Sequence, residues 1–275
     1  VGAPLHRPAG EKENGEEERN VAYRMATEDN ILVFTFDHNV YNPISTEVLQ
    51  GLEQAVRRVN SEPDLKGLVL TGAGRIFSSG FELDTFLSWQ KVEECVEWFY
   101  FQEKVMYDLF TCAKPVVAAV NGHATAAGMI VCMAADYRMV VDNPRIKIGM
   151  TEISIGLSIS SAEAEIMKFG LGSDKNYRDV MFSGRLMNPA EVVQRGIFDE
   201  LVEDDNRLLD KAKDVVRRYV DTPGRPFTTL KYLEKRQAAE YILTSHDRFD
   251  WQQYATQFFD QSVRDTLARL KASMK

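Results

Sequence analysis

The runs GLVLTG at 67–72 and PVVAAVNG at 115–122 are apolar at nearly every position, and each ends in a glycine. A strand with one face in water alternates apolar and polar residues, so a short run without alternation reads as a buried strand closed by a turn. Helical spacing recurs around these runs. Val48, Leu52, Ala55, Val56 and Val59 share one face of a helix that Ser45 or Thr46 can cap, and residues 91–111 form an aromatic-rich helical stretch. Strand, crossover helix, strand is the grammar of an α/β protein. Upstream, VAYRMAT and ILVFTFD flank Glu28-Asp29-Asn30, which predicts a hairpin. Downstream, ATAAGMIVCMAA reads as a helix, and DYRMVV and RIKIG read as short strands. Beyond Glu152 the chain is mostly helical, ending in helices over 228–240 and from Trp251 onward that are able to dock on their own body or on a neighbouring subunit.

With 275 residues, 44% of them hydrophobic, the chain can bury a full core. Residues 1–20, with the acid-rich run EKENGEEER and Pro4, Pro8, Gly10 and Gly15, bury too little apolar surface to offset chain entropy and read as a flexible tail. The expected division is that tail, a core over 21–204 that carries the site, and a helical region over 205–275. Acidic residues outnumber basic ones 41 to 33, a net charge of -8, so nucleic acid is not expected as a partner. Cys95, Cys112 and Cys132 lack metal-ligand spacing and read as reduced packing residues of an intracellular protein, and no metal site is expected. No apolar run approaches the roughly 20 residues that span a bilayer, so no membrane association is expected. The terminal Ser-Met-Lys is not a peroxisomal address, which leaves bacterial cytoplasm and mitochondrial matrix as the expected compartments.

Three local features can carry chemistry. In RIFSSGFELD at 75–84, Gly80 lets the backbone turn sharply and leaves the Phe81 N–H unpaired toward a cleft. In NGHATAAG at 121–128, small side chains permit close approach to a helix start, where free N–H groups favour developing negative charge. Glu152 is a lone carboxylate in an apolar, glycine-flanked run, where desolvation raises its proton affinity. Each has a plainer reading: an ordinary loop, tight helix packing, and an ion-pair partner for Arg145 or Lys147.

Taken jointly, RIFSSGFELD, KPVVAAVNGHATAAGM, the aspartate of AADYR and TEISIGL have the order and spacing of the crotonase, or enoyl-CoA hydratase/isomerase, superfamily, which the chain resembles from about Val21 to its C-terminus. The resemblance implies a spiral of ββα repeats with a helical C-terminal trimerisation region. It also implies an acyl-CoA thioester substrate, assembly as a homotrimer or dimer of trimers, and an oxyanion hole whose donors fall on the Phe81 and Ala127 backbone. Coenzyme A is then part of the substrate, and no separate cofactor is implied. Hydratases of this family carry two glutamates. The second falls on Glu152, but the first is replaced by Ile130. One base beside an oxyanion hole suffices to move a double bond, and Ile130 would wall out water. The DYRMVVDNPRIKIGMTE run is most similar to the mitochondrial-type Δ3,Δ2-enoyl-CoA isomerases, which implies conversion of 3-enoyl-CoA to trans-2-enoyl-CoA in fatty-acid β-oxidation. Hydratase, thioester hydrolase, decarboxylase and a non-catalytic acyl-CoA- or RNA-binding relative remain as alternatives.

For the CoA moiety the candidates are Arg75, Ser79, Lys231 and Lys235, the basic ones as phosphate partners. His123 is expected to be a packed or hydrogen-bonded residue. Glu163 and Glu165 are expected on an exposed helical face, with the alternative that one of them reaches the cleft. Ser78 and Ser79 lack the elbow and the histidine partner of a serine nucleophile.

Overall fold

The hairpin at the start of the chain follows from two residues. In the computed structural model, which describes residues 18–19 and 22–274, β1 (Glu18–Arg19), β2 (Tyr23–Glu28) and β3 (Ile31–Phe36) pair antiparallel. Asp29 and Asn30, between β2 and β3, have φ of 52° and 61°, the positive values that a two-residue hairpin turn requires. The tail expected over 1–20 lies outside the described residues except at Glu18 and Arg19, which pair as an edge strand.

The α1 helix (Thr46–Ser61) begins where the Ser45 side chain accepts the Val48 N–H, and it buries the apolar face seen in the sequence. Three units of like construction follow. The first holds β4 (Gly67–Gly72), β5 (Ile76–Ser78), α2 (Leu83–Ser88) and α3 (Val92–Phe110). The second holds β6 (Val116–Val120), β7 (His123–Thr125) and α4 (Ala127–Ala134). The third holds β8 (Tyr137–Val141), β9 (Ile148–Gly149), a 3-10 turn at Glu152–Ile155 and α5 (Ser161–Leu171). After α6 (Asp174–Ser183) and α7 (Pro189–Gln194), β10 (Glu200–Val202) completes the larger sheet.

That sheet runs β1-β2-β3-β4-β6-β8-β10, and every pairing from β3 to β10 is parallel. All five residues of β6 are buried, which is why its sequence shows no alternation. The second strand of each unit joins a smaller parallel sheet, β5-β7-β9. Each unit is thus a ββα repeat, and successive turns of the chain stack as a spiral. Strands this short carry no readable period. The His123–Thr125 strand was hidden in an apparent loop, and RIKIG narrows to Ile148–Gly149.

The C-terminal region comprises α8 (Leu208–Val220), α9 (Phe227–His246), α10 (Trp251–Thr256) and α11 (Gln261–Ser273). It docks on its own body: α9 packs along α5, and α11 returns against α2. Asp136 anchors α9. Its buried carboxyl takes Lys231 Nζ at 2.6 Å and Lys235 Nζ at 2.8 Å, and it also accepts the Val116 N–H at 2.8 Å. Burial alone would raise that carboxyl, but the two ammonium groups hold it below the ordinary range. Cys95, Cys112 and Cys132 are free and buried. Among the described residues, no helix is long and apolar enough to cross a membrane.

Candidate active site

The loops that leave β5, β7 and β9 open onto one cavity of about 600 Å³. Phe86 of α2, Phe99 of α3, Phe258 after α10, and Leu267 of α11 give it an apolar wall. Phe86 and Phe258 pack edge to face at 5.1 Å, so the C-terminal helices are part of the wall.

Gly80 and the start of α4 are in close contact. Gly80 has φ of 101°, and a Cβ on it would lie 2.6 Å from Ala126 Cβ and 3.2 Å from Ala127 N. Only glycine satisfies both the conformation and the approach. Next to it, Ile44 N donates to Gly80 O at 2.8 Å and Glu82 N donates to Ile44 O at 3.1 Å, a bridge that passes over the Phe81 N–H. Ala127 is the first residue of α4, and its N–H has no carbonyl within its own helix to bond. Neither N–H has a hydrogen-bond partner among the described residues. Strain sits one residue earlier, at Ala126, with φ of 54° and ψ of -131°.

Glu152 heads the 3-10 turn and lines the cavity. The residue is half-buried, but its Oε2 is buried with no hydrogen-bond partner. Burial pushes the carboxyl up to about 7, against the opposing backbone N–H groups of Glu152 and Thr151. No charge from Arg145 or Lys147 bears on it, so the ion-pair reading has no support. Ile130, 1% exposed, projects from α4 into the same cavity.

A second carboxyl on this wall corrects the reading of Glu163 as an exposed helical residue. Glu163 is 2% exposed and lines the cavity from the first turn of α5. Its Oε2 accepts the Ser160 N–H at 2.8 Å, while its Oε1 is buried without a partner. Burial, with Glu103 nearby, pushes it up to about 8. The S-x-x-E pattern at 160–163 was the signal available in the sequence, but it marks a helix start and says nothing of burial.

Of the other candidates, Ser79 lines the cavity, and Arg75 stands exposed on the turn between β4 and β5, outside the cavity wall. Lys231 and Lys235 require a correction. They are 5% and 4% exposed, and their ammonium groups are taken by Asp136 and by the Lys114, Phe110 and Ala134 carbonyls, so neither is free to meet a CoA phosphate. His123 is hydrogen-bonded, its Nδ1 accepting the Lys147 N–H at 2.9 Å.

The sequence pattern of the enoyl-CoA hydratase/isomerase family matches residues 26–270. The mitochondrial enoyl-CoA delta isomerase 1 of Homo sapiens is 24% identical over 238 residues, 86% of this chain and 78% of that protein. A putative enoyl-CoA hydratase of Thermus thermophilus is 32% identical over 187 residues, 66% of this chain and 71% of that one. The crystal structure of human mitochondrial Δ3-Δ2-enoyl-CoA isomerase superposes with a TM-score of 0.83 at 21% identity, covering 92% of this chain and 98% of the other. That of enoyl-CoA hydratase from Bacillus halodurans gives 0.79 at 21% identity, with 90% and 99% covered.

Proposed function

We propose that this chain, which belongs to the enoyl-CoA hydratase/isomerase family, shifts the double bond of a 3-enoyl-CoA thioester to the trans-2 position. The observation that carries the reading is Glu152, which lines the cavity with a buried, unpartnered Oε2, together with Ile130, where a two-acid site would need another carboxyl.

The Glu152 carboxylate takes a proton from C2, breaking the C2–H bond. The electron pair delocalises onto the thioester oxygen, and the Phe81 and Ala127 N–H groups stabilise that negative charge. As the dienolate collapses, C2=C3 forms, C3=C4 is lost, and the Glu152 acid returns its proton to C4. Atoms and electrons balance without an oxidant, and CoA is carried by the substrate, so no resident cofactor is needed. A carboxyl near 7 serves well in both directions, since it gives and takes a proton at comparable cost. Ile130 keeps the β-carbon from water.

Exposed apolar residues of α9, Leu230, Tyr232, Leu233, Tyr241 and Leu243, support association into a homotrimer or dimer of trimers, which light scattering on the purified protein checks.

The test of the reaction is turnover of 3-hexenoyl-CoA by wild type and Glu152→Gln. The variant should lose at least about a hundredfold in rate, and equal turnover by both would overturn the assignment. A second reading, hydration of a 2-enoyl-CoA, is favoured by Glu163 on the same wall. Water addition to crotonyl-CoA at a rate rivalling isomerisation would establish it.

A further inference from the structure

The cavity has a polar corner that the proton shuttle leaves unused. A capping box accounts for one oxygen of Glu163, the Oε2 that accepts from Ser160 N. It does not account for Oε1, which is buried without a partner, because a capping-box glutamate on a protein surface leaves its second oxygen in water. Tyr254, 8% exposed, lines the same cavity, and its hydroxyl makes no hydrogen bond among the described residues. Glu163 is the carboxyl whose charge bears most on that hydroxyl, ahead of Glu103 and Glu152. Around the pair, Phe86, Phe99 and Phe258 offer hydrocarbon. A wall shaped for a plain alkyl chain gains nothing from carrying an unpartnered carboxyl oxygen and an unbonded hydroxyl.

The protonation state gives the corner a direction. Burial, reinforced by Glu103, raises the Glu163 carboxyl to about 8, so near neutral pH it is mostly the acid. Glu103 itself is occupied, accepting the Ala162 N–H at 2.7 Å and lying 2.7 Å from His246 Nδ1. Because Glu163 Oε2 accepts an N–H, the acid proton belongs on Oε1. The corner therefore offers one donor from Glu163 and a hydroxyl from Tyr254 that donates or accepts.

We infer that Glu163 and Tyr254 form a subsite for an oxygen on the acyl chain, so that the preferred substrates are hydroxyacyl or oxoacyl thioesters. This rests on the acyl-CoA reading above and adds the substrate's chemical class. The oxygen lies beyond the carbons that Glu152 serves, because the corner is built from α5 and α10 and not from the loops after β5, β7 and β9.

The experiment is calorimetric titration with non-reacting ligands: octanoyl-CoA and its 5-, 6-, 7- and 8-hydroxy counterparts. Wild type, Glu163→Leu, Glu163→Gln and Tyr254→Phe are compared. At least one hydroxy ligand should bind wild type about tenfold tighter than octanoyl-CoA, because a site built to bond a hydroxyl penalises the analogue that lacks it. The ratio should fall to near one in Glu163→Leu, fall in Tyr254→Phe, and survive in part in Glu163→Gln, which keeps a donor. Absence of any hydroxy preference in wild type overturns the inference, and so does a preference that persists in Glu163→Leu. Should Glu163→Leu fail to fold, an unchanged ratio in Tyr254→Phe overturns it equally. Because no turnover is read, a protein that shows the preference but leaves 3-hexenoyl-CoA untouched upholds the subsite and overturns the isomerase reading.

Discussion

The position that a Gly80 Cβ would occupy lies 3.2 Å from the backbone nitrogen of Ala127. The two loops that offer unpaired N–H groups are thus in van der Waals contact, and one methyl group is enough to force them apart. Gly80→Ala also has to hold a side chain at φ of 101°. The expected result is a loss of about a hundredfold or more in turnover of 3-hexenoyl-CoA, with about 1–3 kcal/mol of stability lost in denaturant melts. Full activity would show that the two N–H groups need not be held in register.

The elevated carboxyl of Glu152 sets a pH profile. As the base of the proposed reaction it must be unprotonated in the free enzyme, so kcat/KM for a 3-enoyl thioester should fall tenfold per pH unit below about 7 and level off above it. A profile flat from pH 5 to 8 would mean that another group takes the proton.

Glu163 sets a different dependence, one of stability. Its folded carboxyl titrates near 8, above the ordinary 4.5, so the native state binds the extra proton. The stability that this confers is complete below pH 4.5 and is lost as pH rises through about 8. Glu163→Gln keeps an oxygen for the cap and cannot ionise. Its melting temperature relative to wild type should therefore climb between pH 5 and pH 8, and a difference constant over that range would refute the assignment.

Asp136 neutralises two buried ammonium groups. Asp136→Asn should cost about 3–5 kcal/mol, because breaking a buried pair leaves charge without compensation. In urea titrations of both proteins, the triple variant with Lys231→Met and Lys235→Met should recover most of that loss, since it removes the charges together.

At Ala126 an alanine occupies a conformation that suits glycine, with φ of 54° and ψ of -131°. Ala126→Gly should raise stability by about 1 kcal/mol, the relief of strain exceeding the added chain entropy. A fall in melting temperature would indicate that the alanine methyl packs more favourably than its backbone suffers.

What the sequence disclosed and what it hid divide along the range of the interactions. The turn at Asp29-Asn30, the Ser45 cap and the apolar faces of α1 and β6 depend on residues a few positions apart, and all were legible. The pairing of Lys231 with Asp136 spans 95 positions, so a basic run on a helix looked available to a CoA phosphate. Glu163 was hidden for the same reason. Its cap is local, but its burial depends on α3, α4 and α9, which pack on α5 from elsewhere in the chain. Glu152 could be singled out because its apolar neighbours are adjacent in sequence as well as in space.

The smaller sheet acts as a ruler. Glu152, the start of α4 and the Gly80 turn each follow a strand of β5-β7-β9, and neighbouring parallel strands stand about 4.8 Å apart. The spacing between the parts of the site is therefore set by backbone hydrogen bonding and comes in whole steps. Substitution can change the side chain carried beyond each strand, as Ile130 on α4 does here, while the strand spacing itself holds. A scaffold of this kind acquires new reactions by exchanging side chains at fixed stations along the ruler.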